Sequence, residues 1–332
     1  MSETVKISVR NLVEFILREG DIDNRTGGGQ DPENMQMGSR IHRKIQRQMG
    51  SDYQAEVPLK TEIVCEGFTL KIEGRADGLI HTKEQVMVDE IKGVLRELDR
   101  VQEPVGIHLA QAKCYASMVA EQEGVDEIGV QMTYCQMETE EVKRFQYSYQ
   151  KNELKVWFDE VIRQYEKWAK FQIEWRKARN ASIKGIEFPF PYRKGQRELA
   201  VSVYRTILRK KKLFIQAPTG VGKTISTVFP AVKAVGEELG EKIFYLTAKT
   251  ITRTVAEDTF SLLRQKGLRF KSIILTAKEK ICFQGHTECN PEQCPYAKGH
   301  FDRVNDAVFD LLHRCEMIER DDILLQADRY TV

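Results

Sequence analysis

The chain has 332 residues, of which 41% are hydrophobic, enough for the cores of two domains of about 150 residues each. This excludes a short peptide or a disordered tail. Charged residues make up 30% of the chain, yet 51 lysines and arginines against 49 aspartates and glutamates leave a formal net charge of only +2. Any surface for a charged partner must therefore be local.

The sequence has neither a membrane span nor a leader peptide. No window reaches the roughly 18 consecutive apolar residues of a membrane helix, and the first residues lack a basic segment followed by an apolar one. We expect a soluble, cytoplasmic protein with no membrane partner.

The first half of the chain is predicted to form a compact α/β domain. Glycines 27 to 29 lie in a polar stretch that is typical of a loop, and a helix is expected around Gly38 to His42. The other predicted elements are alternating strands within 57–92, a helix at 108–120 and strands at 128–135 and 144–149.

Two acidic segments flank a short polar stretch, as the strands of a hairpin would. If the loop is centred on Lys83 and Glu84, Asp77 lies opposite Glu90, and period-two alternation puts both carboxylates and Lys92 on one face. Carboxylate oxygens suit Mg²⁺ or Mn²⁺, and a lysine can position or activate a water. The pattern indicates hydrolysis of a phosphodiester; a solvated charged face is the alternative.

Three more residues fit this chemistry. Gln111 and Tyr115 are four residues apart on one face of the predicted helix, where they can contact a DNA phosphate. His42 offers a further metal ligand, although a lone helical histidine is often structural.

This ordered set resembles RecB-like nucleases of the PD-(D/E)XK superfamily over about residues 8 to 150. The resemblance implies a restriction-endonuclease-like fold that cleaves DNA. It also implies catalysis by Asp77, Glu90 and Lys92, metal binding by His42, Asp77 and Glu90, and DNA-backbone contact by Gln111 and Tyr115. Cys65, Cys114 and Cys135 do not fit the cluster-binding cysteines of some such nucleases.

The middle of the chain is predicted to be one helix and a boundary. Between 152 and 179 apolar and aromatic residues recur at helical steps, which we interpret as a core-facing stripe rather than base-stacking aromatics: Leu154, Phe158, Val161, Tyr165, Trp168 and Trp175. Gly185, Pro189 and Pro191 then mark a boundary. Apolar runs at 213–215, 243–246 and 273–275 alternate with helix-length segments, which predicts a parallel sheet.

A phosphate-binding loop is the strongest signal in the sequence. The segment APTGVGKT, residues 217–224, follows an apolar run and opens a helix. Gly220 and Gly222 let backbone N–H groups turn toward a phosphate. Lys223 supplies charge to the phosphate oxygens, and Thr224 can ligate Mg²⁺.

This form of the loop resembles that of superfamily 2 helicases. Residues 188–196 resemble the adenine-reading segment of those helicases, which makes Gln196 the expected base contact. Residues 246–250 resemble their motif Ia, which touches single-stranded DNA; a plain solvated loop is the alternative. The resemblance implies a RecA-like fold and ATP with Mg²⁺ as the cofactor.

ATP hydrolysis needs a further acidic pair at the end of a later strand, written DEAH in these helicases. Asp-Glu occurs at 89–90, 126–127 and 159–160, all before the P-loop. We therefore expect the chain as given to bind nucleotide but not to unwind DNA.

Three closely spaced thiols follow the last apolar run. Cys282, Cys289 and Cys294 have a spacing that suits a soft metal or an iron–sulfur cluster. They resemble the insertion of XPD-like and DinG-like helicases, which implies a [4Fe-4S] cluster. Cys315 is one candidate for the fourth ligand, and a cysteine beyond Val332 is the other.

Two alternatives for these thiols stay open. Zinc could be held by the three cysteines with His286 or His300, or the thiols could be unligated.

These patterns together predict an α/β chain in which a restriction-endonuclease-like domain precedes a partial RecA-like domain with a cysteine-rich insertion. The expected parts are a nuclease domain at 1–150, a helical connector at 151–187, the P-loop part at 188–280 and a partial iron–sulfur insertion at 281–332.

The expected function is an ATP-dependent DNA helicase and nuclease of the DNA-repair type, acting on single-stranded or unwinding DNA. A non-catalytic single-strand binding module and an inert truncated fragment are the alternatives.

Overall fold

A computed structural model describes residues 3–25, 32–218, 220–247, 250–285 and 288–332, with the backbone alone at 32–35 and 250–253. The predicted glycine loop at 27–29, and Thr219, Ala248, Lys249 and His286, lie outside the described residues. The chain divides into two compact units. Unit 1 comprises Met1–Lys170, Thr276–Leu311 and Asp321–Val332, and unit 2 comprises Phe171–Leu275 and Leu312–Arg320.

The elements follow one another along the chain with short connections. They are β1 (Glu3–Ser8), α1 (Val9–Ile16), α2 (Pro32–Gln48), β2 (Tyr53–Cys65), β3 (Phe68–His81), β4 (Val86–Val94), α3 (Gly106–Glu123), β5 (Glu127–Gln136), β6 (Val142–Gln150), α4 (Lys151–Gly185), α5 (Gln196–Leu208), α6 (Lys223–Gly236), α7 (Thr250–Gln265), β7 (Ser272–Ile273), α8 (His300–Arg314), β8 (Met317–Ile318) and α9 (Arg320–Tyr330). Short 3-10 turns lie at Leu98–Arg100 and Lys278–Lys280.

The α/β class is confirmed, as are the elements predicted before residue 180. The alternating stretch at 57–92 forms β2, β3 and β4, and the helix expected at 108–120 is α3. The strands expected at 128–135 and 144–149 are β5 and β6, and the long periodic stretch is α4.

The sheet of unit 1 has the order β1-β3-β4-β5-β6, with β2 paired to β3. The β1/β3 and β4/β5 pairs are parallel, and the β2/β3, β3/β4 and β5/β6 pairs are antiparallel. Helix α3 packs on β4 and β5, and α2 packs on β4. The buried side chains of β5, which run from Ile128 to Gln136, are typical of a central strand covered on both faces.

One edge of β3 changes partner in the middle of the strand. Strand β2 pairs along the other edge from Phe68 to Ile80. On the shared edge, β1 pairs with β3 from Phe68 to Glu73, and β4 pairs with it from Gly78 to His81. Among the described strands, residues 74–77 of β3 therefore have no partner on this edge. We call this gap the fork.

Helix α2 is fixed to the sheet by two isoleucines one turn apart. Ile41 and Ile45 are buried and pack against Ile91 of β4 and Cys135 of β5. Spacing of four residues places both side chains on one helix face. This anchor leaves the other faces of α2 available for polar side chains.

The apolar stripe of α4 is core-facing, as predicted. Leu154, Phe158, Val161 and Tyr165 are buried. Trp168 contacts the rings of Phe15 and Phe309 edge to face, with centroids 4.8 Å apart in each pair. Trp175, in unit 2, packs under an ammonium group, with the Nζ of Lys271 at 4.0 Å from its ring centroid.

The core of unit 2 is built mainly from helices. It contains Ile183, Ile186, Ile225, Val228, Phe229, Val232, Val235, Phe260, Leu263, Leu268 and Phe270. Helix α6 supplies four of these side chains at helical spacing, so its amphipathic pattern explains its burial.

The prediction of a parallel sheet in unit 2 was wrong for two of its three strands. In the described residues, the runs at 213–215 and 243–246 form no strand, and the third run contributes the two-residue β7, which pairs in parallel with β8. Phe214 is 92% exposed and Leu246 is 88% exposed. A short apolar run becomes a strand only when neighbouring backbone accepts its hydrogen bonds, and no described strand does so here.

No helix within the described ranges is both long enough and apolar enough to cross a membrane.

Candidate active site

The hairpin register that the sequence predicts is confirmed. Thr82 and Gln85 close the turn through a backbone hydrogen bond of 3.0 Å, which places Lys83 and Glu84 at its tip. Gly78 pairs with Asp89 in this register, and its continuation puts Asp77 opposite Glu90. The regular pairing ends at that point, because β4 turns away from β3 at the fork.

Asp77 lies at the fork and is held from three sides. Its Oδ2 accepts a hydrogen bond of 2.8 Å from the backbone N–H of Ile91, which replaces the missing strand pairing. Its backbone oxygen accepts hydrogen bonds from Gln46 of α2 at 2.9 Å and from the hydroxyl of Tyr53 of β2 at 3.3 Å. These contacts fix the orientation of the carboxylate.

His42 meets Asp77 from helix α2. The Nδ1 of His42 lies 3.1 Å from Asp77 Oδ1, and the histidine side chain is 27% exposed. Burial lowers the pKa of His42, but the hydrogen bond and the charge of Asp77 outweigh it, so the net shift is upward. Gln46 is one helical turn further on, so one face of α2 contacts Asp77 twice.

Glu90 is the most deeply buried carboxylate of the site. One oxygen, Oε1, forms an ion pair of 2.8 Å with the Nζ of Lys92. The other, Oε2, is buried without a hydrogen-bond partner. Burial raises the pKa of Glu90 from 4.5 to about 7, against the opposing effect of Lys92.

Lys92 joins the carboxylates to helix α3. Its Nζ donates a hydrogen bond of 3.1 Å to the side-chain oxygen of Gln111. Gln111 in turn bonds the hydroxyl of Tyr115, which also bonds the backbone of Arg75 in β3. Burial and the charge of Glu90 raise the pKa of Tyr115, which therefore stays a neutral phenol.

The ring of Tyr115 lies directly over Gly74 in the fork. A Cβ at this glycine would lie 2.6 Å from the tyrosine hydroxyl, so no larger residue fits there. The six residues predicted for this site, namely His42, Asp77, Glu90, Lys92, Gln111 and Tyr115, are thus brought together by α2, β3, β4 and α3.

A buried polar network lies on the opposite face of β4, and the sequence analysis did not predict it. Asp89 accepts hydrogen bonds from Thr133 at 2.6 Å, from Gln131 at 3.1 Å and from the hydroxyl of Tyr53 at 3.1 Å. Burial raises the pKa of Asp89 in spite of these donors. Since Tyr53 also bonds the backbone of Asp77, the network supports the site from behind.

His108 is a second residue that the sequence analysis missed. It lies one turn before Gln111 on α3, and its Nδ1 is 3.0 Å from the hydroxyl of Tyr134. Burial, reinforced by the charge of Lys92, lowers the pKa of His108 to about 4. It is a neutral hydrogen-bonding group at neutral pH. Its position three residues before Gln111 was the one available signal.

The donor set of the fork suits a hard divalent cation, but it is not arranged around one. No three His, Cys, Asp or Glu side chains converge as metal ligands anywhere in the described part of the chain. Instead, Asp77 is bonded to His42, and Glu90 is bonded to Lys92. The buried Glu90 Oε2, which has no partner, is the atom that an ion would satisfy.

The P-loop has the backbone that its glycines predict. Gly220 and Gly222 have φ of 84° and 72°, in the left-handed region that favours glycine, and α6 begins directly afterwards at Lys223. The Nζ of Lys223 donates to the backbone oxygens of Ala217 at 3.1 Å and Pro218 at 2.9 Å. Thr224 lies in the first turn of α6, at its positive dipole end.

Gln196 is buried beside this loop. Its side-chain oxygen accepts from the backbone N–H of Arg193 at 3.0 Å, and its amide donates to the backbone oxygen of Val221 at 3.2 Å. A Cβ at Gly222 would lie 2.5 Å from the Gln196 amide nitrogen. The residue expected to read adenine thus ties its own segment to the P-loop.

The three clustered cysteines lie in unit 1, around the amine of Lys278. A hydrogen bond with Cys289, reinforced by the charges of Cys289, Cys282 and Cys294, raises the pKa of Lys278. Cys289 and Cys294 are buried. The thiols share a lysine, and they do not form a metal-ligating group in the described chain.

The candidate fourth ligands do not complete such a group either. Cys315 belongs to unit 2, where its backbone oxygen accepts a hydrogen bond of 2.8 Å from Lys271. His300 begins α8 in unit 1, and burial lowers its pKa. His286, the other histidine considered for zinc, lies outside the described residues.

Comparison with known proteins identifies one segment. Residues 197–291 match the family described as DEAD/DEAH box helicase. The chain is also 37% identical over 122 residues to a protein named "Probable ATP-dependent helicase MJ0942" from Methanocaldococcus jannaschii. That alignment covers 36% of this chain and 18% of the relative, so the chain spans less than a fifth of its length.

A solved structure titled "Crystal structure of SSO0001" gives a TM-score of 0.37 at 19% identity, over 52% of this chain and 78% of that one. A similarity of this size carries no argument about fold or function. The chain thus carries a helicase-type segment of the DEAD/DEAH kind, which contains the ATP-binding P-loop, and the first 196 residues lie outside the family match.

Proposed function

We propose that the chain combines a metal-dependent DNA nuclease at the fork with a helicase-type, ATP-binding segment around the P-loop. One observation supports the nuclease most strongly. Two carboxylates, a histidine and a lysine from three separate elements meet at a break in the sheet, and one buried carboxylate oxygen, Glu90 Oε2, has no partner. Buried charged groups are costly unless they serve a ligand or a reaction.

Asp77, Glu90 and His42 would hold Mg²⁺ or Mn²⁺ in this proposal. When bound, such an ion neutralises charge on the phosphate and acidifies a water molecule. The residues of the chain do the remaining work. Gln111 and the neutral hydroxyl of Tyr115 hydrogen-bond phosphate oxygens and orient the DNA backbone.

Lys92 positions the attacking water and stabilises charge on the phosphate. Its ammonium lies between Glu90 and Gln111, so it faces both the acidic pocket and the proposed phosphate contact. The water adds to phosphorus, the bond to the leaving oxygen breaks, and the leaving oxygen takes up a proton. Asp77 and Glu90 also keep His42 and Lys92 in place by their ion pairs.

Cleavage of end-labelled single-stranded DNA with Mn²⁺ tests this proposal. We expect Asp77→Asn to reduce the rate by about a hundredfold or more, because it removes both a metal donor and the partner of His42. Glu62→Gln, which changes an exposed carboxylate on neighbouring β2, is the matched control and should cleave normally. DNA binding without cleavage by the unaltered protein would contradict the proposal and favour a non-catalytic binding module.

The P-loop segment would bind ATP with Mg²⁺ through Lys223 and Thr224, with Gln196 closing the loop from behind. Coupling of ATP to strand movement belongs to a complete helicase motor in this proposal, with a role in DNA repair. The iron–sulfur cluster is left out of it, because the described cysteines form no ligand set and Cys315 belongs to the other unit.

A further inference from the structure

Helix α2 carries a cluster of cations that the nuclease proposal does not use. Arg40, Arg43, Lys44 and Arg47 are exposed and, with Gln48, line a cavity of about 430 Å³. We call these four cations the α2 basic face. At 1.5 Å per residue they cover about 10 Å of the helix.

The basic face has a clear excess of positive charge. Arg40 and Lys44 share one carboxylate, Glu140, whose pKa is lowered mainly by its hydrogen bond with Lys44. Within the described chain, Arg43 and Arg47 form no ion pair with a carboxylate; Arg43 instead donates to the backbone oxygen of Ser39 at 3.2 Å. Four cations against one carboxylate leave three uncompensated charges on a single helix surface.

The helix also connects this surface to the fork. Ile41 and Ile45 face the sheet, His42 and Gln46 reach Asp77, and Arg43 and Arg47 follow each of those two residues by one position. Successive residues are 100° apart around a helix, so the basic face borders the face that holds Asp77. A polyanion lying on these cations would pass beside the carboxylates.

We propose that the α2 basic face binds the phosphate backbone of the nucleic-acid strand and guides it to the fork. The inference rests on the proposed nuclease function, which makes a nucleic acid the matching polyanion. Arginine suits this role because its planar guanidinium makes paired hydrogen bonds to phosphate oxygens. The contacts are to phosphates, so binding is independent of base sequence.

Binding of a fluorescein-labelled oligothymidine, measured by anisotropy in EDTA over a series of salt concentrations, tests the inference. We expect Arg43→Gln with Arg47→Gln to weaken binding by about tenfold or more near 0.1 M salt. The slope of log affinity against log salt should fall by about 1.4, since each lost phosphate contact removes about 0.7 for a single strand. Glutamine keeps the helix propensity of arginine, so the fold is retained.

Two comparison proteins make the test specific. Arg43→Lys with Arg47→Lys keeps the charge and should keep the salt slope. Lys155→Gln with Arg163→Gln removes the same net charge from exposed positions on α4 and should bind as the unaltered protein does. If the α2 glutamine protein instead bound with the affinity and slope of the α4 control, the inference would be overturned.

The nuclease proposal fails in a different way. Binding is measured without divalent metal, so a protein that binds through α2 but never cleaves with Mn²⁺ contradicts the nuclease alone. A protein that cleaves normally after loss of the two arginines, with unchanged binding, contradicts the α2 inference alone.

Discussion

Glu90 shows how one buried carboxyl can report on the site. Its side chain is almost fully buried, its Oε2 has no partner, and its pKa is raised to about 7. The folded, metal-free protein therefore retains a proton that the unfolded chain has already lost above its ordinary pKa of 4.5. Asp89 and His42 also have raised pKa values, so all three groups favour the protonated form in the folded state.

This raised pKa predicts how stability depends on pH. Because the folded state binds more protons than the unfolded state, the free energy of unfolding of the metal-free protein should fall by about 1 to 3 kcal/mol as pH rises from about 5 to about 7. Urea unfolding in EDTA at several pH values measures this. Glu90→Gln should show a smaller fall. A stability that rises over this window, or an identical fall in Glu90→Gln, would contradict the assignment.

The sequence predicted the chemical residues of the fork but not those that hold them. Hairpin arithmetic and helical spacing brought Asp77, Glu90 and Gln111 onto facing surfaces. Gln46 and Tyr53 were missed because their bonds go to the backbone of Asp77, and no local pattern marks such a contact. Asp89 was grouped with Glu90 as an acidic pair, whereas alternation puts it on the opposite face.

At the scale of elements, the β3 to β4 hairpin depends on close approach at glycine. Tyr53 covers Gly78, where a Cβ would lie 2.1 Å from the ring. Glu56, which follows Ala55, the partner of Gly78 in β2, has a positive φ of 56° that is uncommon outside glycine. The backbone is thus distorted next to Asp77, and the tyrosine fits only because β3 is bare at Gly78.

Gly78→Ala should therefore displace the Tyr53 ring and its bonds to Asp77 and Asp89. We expect a loss of about 1 to 3 kcal/mol in the free energy of unfolding, together with weaker DNA cleavage. Gly106→Ala at the start of α3 is the control, because nothing lies within 4 Å of its Cβ position. It should be neutral or slightly stabilising. Equal unfolding midpoints for the two proteins would refute the packing argument.

The elements of unit 2 were harder to predict than those of unit 1. Long periodic helices such as α4 and α6 declare themselves through repeated burial. A three-residue apolar run does not, since its structure depends on which backbone lies beside it. Strand β8 was missed for the same reason, because two residues cannot carry a periodicity.

At the scale of the molecule, the chain holds two candidate sites in two compact units. The fork lies in unit 1, and the P-loop lies in unit 2. The family match covers the P-loop and leaves the fork outside. The account therefore requires that cleavage at the fork proceeds without the P-loop lysine.

The most direct test compares Lys92→Ala with Lys223→Ala in Mn²⁺-dependent cleavage of end-labelled single-stranded DNA, without ATP. Lys92→Ala should lose about a hundredfold or more in rate, whereas Lys223→Ala should cleave like the unaltered protein and lose only ATP binding. Cleavage that survives Lys92→Ala, or that is lost in Lys223→Ala, would contradict a nuclease centred on the fork.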